Sequence, residues 1–313
     1  LRGDRHRRIR ENSRTDRPVT LTQEATSVAA APRRRHVLPR AVWIAWAATF
    51  AAFFPIYGEW VGDWLHDPNY SQGFLIPFIS IYLGFRALKR AGSEPSEIPT
   101  SAWASYLGPV ITGLGIGAYV LGTAGAEFFT SRASFVLTFL GATWWFAGAA
   151  LGAFLTVPIL FLLFSVPIPS VIYFNISLPL QGFASFAAAN TLRLLGVPLV
   201  AEGNILHVPG GALEVADACS GIRSLTVLLA LGALWAYTSR GGALRRAALL
   251  ACTIPLAVLG NAVRVSFTAI GFLAFGPSIT EGTLHETMGL VVFAVTLGGL
   301  AVASRLLRLE RPS

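Results

Sequence analysis

Apolar runs of roughly 17 to 25 residues, the length a helix needs to cross a hydrocarbon core, dominate the chain. They fall near 38–57, 71–88, 102–122, 133–150, 153–169, 220–239, 247–273 and 285–304. This predicts eight membrane-spanning helices, the fourth and fifth joined by a tight uncharged turn between Gly148 and Phe154. A ninth apolar stretch, 176–198, is interrupted by Pro179, Gln181, Asn190 and Arg193, and reads as an interfacial or re-entrant helix on the outer face. The turn-rich stretch from Gly203 to Gly211, which contains His207, reads as an outer hairpin. The expected fold class is an all-α polytopic membrane protein.

Composition agrees with this pattern: 54% of the 313 residues are hydrophobic and 13% charged, and the mean hydropathy is +0.60. These values exclude a soluble domain of this length. Charge then orients the spans. With a cytoplasmic N-terminus, 20 of the 24 basic residues map to the inner side, eleven of them arginines within 1–40. Arg132, Arg193, Arg223 and Arg264 stay outside. A ninth span at 176–198 would carry Arg240, Arg245 and Arg246 outward, so eight spans are preferred, with both termini cytoplasmic. Residues 1–37 read as a disordered basic cytoplasmic tail that clings to anionic lipid rather than nucleic acid, and 307–313 as a short cytoplasmic tail.

Three polar residues stand at the outer ends of apolar segments: Cys219, Arg264 and His285. A thiol, a fixed cation and an imidazole at one depth are the equipment of acyl transfer through cysteine. Ser220 and Gly221 are expected to open the sixth span, setting the thiol at a helix N-terminus, and Arg223 to share its helical face. Both favour thiolate. Asn261 precedes Arg264 by three residues, presenting an amide and a guanidinium together, which suits a peptide carbonyl or its oxyanion. Thr283 and Glu286 read as a capping box around His285, and a helix N-terminus keeps the imidazole neutral. Cys252 sits among Ala, Leu and Ile as a small hydrophobe. Against this reading stand a packing cysteine, an arginine paired with Glu214, Asp217 or Glu281, and His207 as the alternative base. Gly58 to Tyr70, with Trp60, Asp63, Trp64, Asp67 and Tyr70, reads as an aromatic and acidic interfacial loop. No metal-ligand spacing and no phosphate-cradling glycine loop is present, so neither metal nor cofactor is expected.

These motifs resemble the exosortase and archaeosortase family of membrane cysteine transpeptidases. The resemblance rests on Ala218-Cys219-Ser220-Gly221-Ile222-Arg223-Ser224, Asn261-Ala262-Val263-Arg264, and His285 with Gly289. Asn69 to Pro77, Val166-Pro167-Ile168-Pro169 and Glu202-Gly203-Asn204 add to it. It covers roughly 40–306, which makes 38–306 the expected catalytic domain, and histidine at 285 resembles the bacterial branch. The resemblance implies a protease or transpeptidase in a bacterial inner membrane. Its substrates would be exported proteins with a C-terminal Pro-Glu-Pro (PEP-CTERM) signal, a transmembrane helix and a basic end. It further implies attack by Cys219 to give an acyl-thioester, proton transfer by His285, and oxyanion or thiolate stabilisation by Arg264. The donor of the proton to the leaving amine, and whether water or an amine resolves the intermediate, stay open. The alternative class is an exopolysaccharide or lipid-linked glycan enzyme, which could use outer arginines for phosphates but needs no cysteine.

Overall fold

The computed structural model describes residues 38–92, 104–215, 221–276 and 282–310. Among the described residues nine α-helices carry the fold: α1 (Arg40–Ala52), α2 (Phe54–His66), α3 (Leu75–Ala91), α4 (Ala104–Ala124), α5 (Phe128–Phe161), α6 (Ser170–Leu194), α7 (Ile222–Thr238), α8 (Ala243–Phe275) and α9 (Gly282–Leu306). Six of these segments are long and apolar enough to span a membrane by themselves. The α1–α2 pair, bent by 70°, makes a seventh candidate, and α7 is apolar but shorter.

The predicted tight turn lies inside α5. Gly148 has φ 80° and ψ 165°, values that break the helix into two limbs. Trp144 Nε1 donates to Thr156 Oγ1 at 2.9 Å, although a continuous helix would hold those residues about 18 Å apart. The chain therefore reverses at Gly148, and glycine is needed because an L side chain disfavours that φ. The turn is shorter than expected, since Gly152 already packs against the Trp144 ring.

Following contacts along the chain sorts the helix ends. Trp46 donates to Thr143 Oγ1 near the Gly148 turn, while Asp63 pairs with Arg132 at 2.6 Å at the opposite end. The α3 helix descends from the Asp63 end, with Ser80 donating to the Pro158 carbonyl. Gln72, just before α3, reaches Thr226 in the second turn of α7, and Arg90 lies over the Tyr237 ring where α7 ends. Arg240 and Glu310 close a backbone bridge there, at 3.2 and 3.1 Å. With α5 counted as two limbs and α1–α2 as one, eight segments run between the two ends. Among the described residues, nine of thirteen cations gather at the Arg240 end against one acid, Glu310. The Asp63 end has Arg132, Arg193, Arg223 and Arg264 against seven acids.

The α6 helix does not join that count, although it is long and apolar enough to cross. It runs beside the far half of α8, with Thr191 bonded to Ser266, and Ala184, Ala188 and Leu192 buried with Val265, Ala269 and Phe272. Both its ends stay on the Asp63 side. The expected hairpin is a three-stranded antiparallel sheet, β1 (Val200–Glu202), β2 (Ile205–Val208) and β3 (Gly211–Glu214). Leu206, Val208 and Leu213 pack into the same cluster.

One expected loop is a helix. Residues 58–66 continue α2, and Trp60 and Trp64 both donate to the Ser165 carbonyl at 2.8 Å. That carbonyl precedes Val166-Pro167-Ile168-Pro169, whose two prolines have no N–H to offer it. The indoles are thus structural donors rather than free belt aromatics.

Candidate functional site

The α7, α8 and α9 helices meet through two glycines. Gly221 caps the start of α7 in the left-handed conformation, φ 82°, and is buried. A Cβ there would come within 2.6 to 2.8 Å of the Asn261 side chain. In α9, a Cβ on Gly289 would meet the Arg264 guanidinium at 3.3 to 3.4 Å. Asn261 and Arg264, three residues apart on one helical face, therefore lie against the α7 cap and the α9 backbone respectively. Asn261 Oδ1 and Arg264 Nε are withdrawn from solvent.

Between the three helices is a cavity of about 10 Å³ bounded by Ser224, Asn261, Arg264, Gly289 and Thr296 among others. It admits at most one water molecule. Charge held in so dry a setting acts more strongly than in bulk water, which suits stabilising an anion that develops during reaction.

Several expectations shift. Cys219 and Ser220 lie outside the described residues. Helix α7 begins at Ile222, two residues later than expected, because left-handed Gly221 cannot continue a right-handed helix. The helical face that Arg223 was expected to share with Cys219 falls in part outside the described residues, and the Arg223 side chain is exposed. Arg264 stands eleven residues before the end of α8 at Phe275, which lies two residues beyond the expected end of that span. The α9 helix takes in Gly282, so Thr283 stands inside the first turn rather than capping it. His285 is in that turn, four residues before Gly289. Its side chain lies outside the described residues. Glu286 is exposed. The competing His207 is on β2 with Nε2 3.4 Å from the Glu202 carboxylate and does not line the cavity. Cys252 is half-buried within α8.

Gln72 received no role from sequence reasoning. Its Nε2 donates to Thr226 Oγ1 at 3.4 Å, while its Oε1 is buried with no hydrogen-bond partner among the described residues. The signal was present in the Asn69–Pro77 motif, but spacing alone does not join that motif to α7. Among the described residues no group of three or more His, Cys, Asp or Glu is arranged to hold a metal.

Residues 64–302 match the family model of the transmembrane exosortases. The chain belongs to the exosortase family. The match takes in the Gln72 motif, the Gly221 cap, Asn261 and Arg264, and the first turns of α9, so the helices that converge at the cavity all lie within exosortase sequence. Neither a curated protein nor a solved structure matches the chain. Exosortase membership makes this a multi-pass membrane protein and, in general terms, a sorting peptidase or transpeptidase acting on exported proteins.

Proposed function

We propose that the protein is a cysteine transpeptidase that cleaves C-terminal PEP-CTERM sorting signals at the outer face of a bacterial inner membrane. The observation that carries this reading is the convergence of Asn261 and Arg264 with Gly221, two residues after Cys219, and with Gly289, one turn after His285. Three motifs far apart in sequence meet within one dry contact. The charge sorting supports the orientation: the cation-rich Arg240 end is cytoplasmic and the acid-rich Asp63 end faces outward.

In the proposed reaction the substrate helix enters the bilayer and presents its scissile bond at the outer interface. The Cys219 thiolate attacks the carbonyl carbon, forming a C–S bond while the carbonyl electrons move to oxygen. Arg264, with Asn261 beside it, stabilises that oxyanion. Collapse expels the amine, which takes up a proton, and leaves an acyl-thioester; water or another amine then attacks this and returns the thiol. His285 carries protons in both halves. Arginine is a poor proton donor, since its guanidinium stays charged.

The test is processing of a Pro-Glu-Pro substrate in cells expressing matched amounts of each variant. Cys219→Ala should abolish conversion, Arg264→Lys and His285→Ala should lower it by about two orders of magnitude or more, and Cys252→Ala should leave it near normal. Normal processing by Cys219→Ala would remove the proposal. A membrane-impermeant thiol reagent should label Cys219 in intact cells.

A further inference from the structure

At the Arg240 end, away from the site above, α3, the second limb of α5, α7 and α8 enclose a cavity of about 1060 Å³. Among the described residues five cations line it, Arg86, Lys89, Arg90, Arg240 and Arg246, and no carboxylate does. Inward-facing charge by itself calls only for cations on this side, for which exposed loops suffice. Here three separate chain segments bring them around one space. Two of them are placed by aromatic rings: Arg86 sits 5.9 Å from the Tyr82 ring centre and donates to its hydroxyl at 3.3 Å, and Arg90 sits 5.6 Å from the ring of Tyr237. A cation–π contact orients a guanidinium and leaves its charge unneutralised. The backbone of Arg240 is held by its bridge to Glu310.

Two further features bear on the ligand. Ser239 is 4% exposed, and its hydroxyl has no hydrogen-bond partner among the described residues. The remaining wall is apolar and aromatic, built by Ala153, Phe154, Val157 and the two tyrosines, of which Tyr82 and Val157 are open on the flank of the bundle. A cluster of arginines with a hydroxyl matches a phosphate. An adjoining apolar wall that opens sideways matches the chain attached to it.

We propose that this cavity binds a phosphate-bearing amphiphile, an anionic lipid whose headgroup phosphate is held by Arg86, Arg90, Arg240 and Arg246 and whose chain lies against Phe154 and Val157. The site does not depend on the peptidase reading, and its test uses no processing. A basic substrate tail is repelled by cations of its own sign, and a bound phosphate offsets part of that charge.

The experiment is native mass spectrometry of the full chain exchanged into mixed phosphatidylglycerol and phosphatidylcholine. Wild type should retain phosphatidylglycerol at least about tenfold over phosphatidylcholine, and Arg86→Gln, Arg90→Gln and Arg246→Gln together should weaken that binding roughly a hundredfold, at about fivefold per charge. Excess inorganic phosphate separates the sources: failure to displace the lipid supports a headgroup site, whereas displacement with direct phosphate binding supports a soluble phosphate ligand in the same cradle. Because removing three cations can disturb insertion, Ala153→Trp is the companion variant; it keeps every charge and fills the cavity from its apolar wall. Undiminished phosphatidylglycerol selectivity in the inserted Ala153→Trp protein, or equal retention of both lipids by wild type without phosphate binding, overturns the proposal.

Discussion

Glycine is used in two ways in this bundle, and the contrast between α4–α5 and α7–α8–α9 separates scaffold from site. In α4, Gly108, Gly115 and Gly122 recur every seven residues and face Trp145, Thr138 and Ser131, also seven apart, in the first limb of α5. Added Cβ atoms there would collide with backbone atoms of the neighbouring helix. Those glycines set how closely two helices approach, as small residues do in membrane proteins. At Gly221 and Gly289 the neighbours are instead the functional ends of Asn261 and Arg264. The same absence of a side chain fixes helix spacing in one region and the position of polar groups in the other.

The largest effect is expected from Gly115→Val. Its branches must displace the Thr138 backbone, which cannot yield without parting the helices, and overpacking of this kind costs about 1–3 kcal/mol or more. The measure is the fraction of folded protein surviving a thermal series in detergent. Survival equal to wild type would break the scaffold half of the contrast. Gly221→Ala combines a left-handed backbone, about 1–2 kcal/mol for an L residue, with a clash against Asn261. It should lower processing of a Pro-Glu-Pro substrate by more than its modest loss of stability explains.

Gly289→Ala is the sharper probe, because its Cβ meets a flexible guanidinium at 3.3 Å rather than backbone. Stability should change by less than about 1 kcal/mol, while displacing Arg264 by a few tenths of an ångström should reduce processing about tenfold. Equal losses in both would mean that Gly289 is packing alone.

The smallest effect concerns the scaffold loop before α5. A hydrogen bond from the Thr130 side chain, with backbone N–H bonds from Thr130 and Phe129, holds the Glu127 carboxyl below the usual carboxylate range. A depressed folded-state value stabilises the protein above the unfolded-state pKa, and that contribution is lost as pH falls through the folded one. Glu127→Ala should therefore cost about 1 kcal/mol near neutral pH and little in acid. Thermal unfolding of both proteins across pH checks it, and a cost that grows in acid would refute the sign.

Much of this was readable in the sequence. Eight crossings followed from apolar length and from charge, because a bilayer imposes both. Pro179, Gln181, Asn190 and Arg193 set α6 apart in the sequence, although it is long and apolar enough to cross, and the Asn261–Arg264 pair needed only the i, i+3 rule. What escaped depends on tertiary packing. The left-handed start of α7 packs against the Asn261 side chain, forty residues later in the chain. Residues 58–66 were read as a loop because their polar side chains find partners at Arg132 and Ser165, which lie about seventy to a hundred positions later in the chain. The outer end of α8, expected at 273, falls at Phe275, but its turns beyond Arg264 were read as membrane span, whereas Val265, Ala269 and Phe272 are apolar for α6 and the sheet.

That extra length turns the molecule into a ruler. Eleven residues of α8 beyond Arg264 raise a post about 16 Å tall, with the sheet leaning on it. In the proposed reaction, a folded cargo domain halted at the top of the post reaches the guanidinium only through slack chain. At about 3.3 Å per extended residue, that slack is about five residues. On that proposal, cargo whose folded part ends closer than this to its scissile bond must unravel before it can be cut, and the height of α8 would select substrates by spacer length.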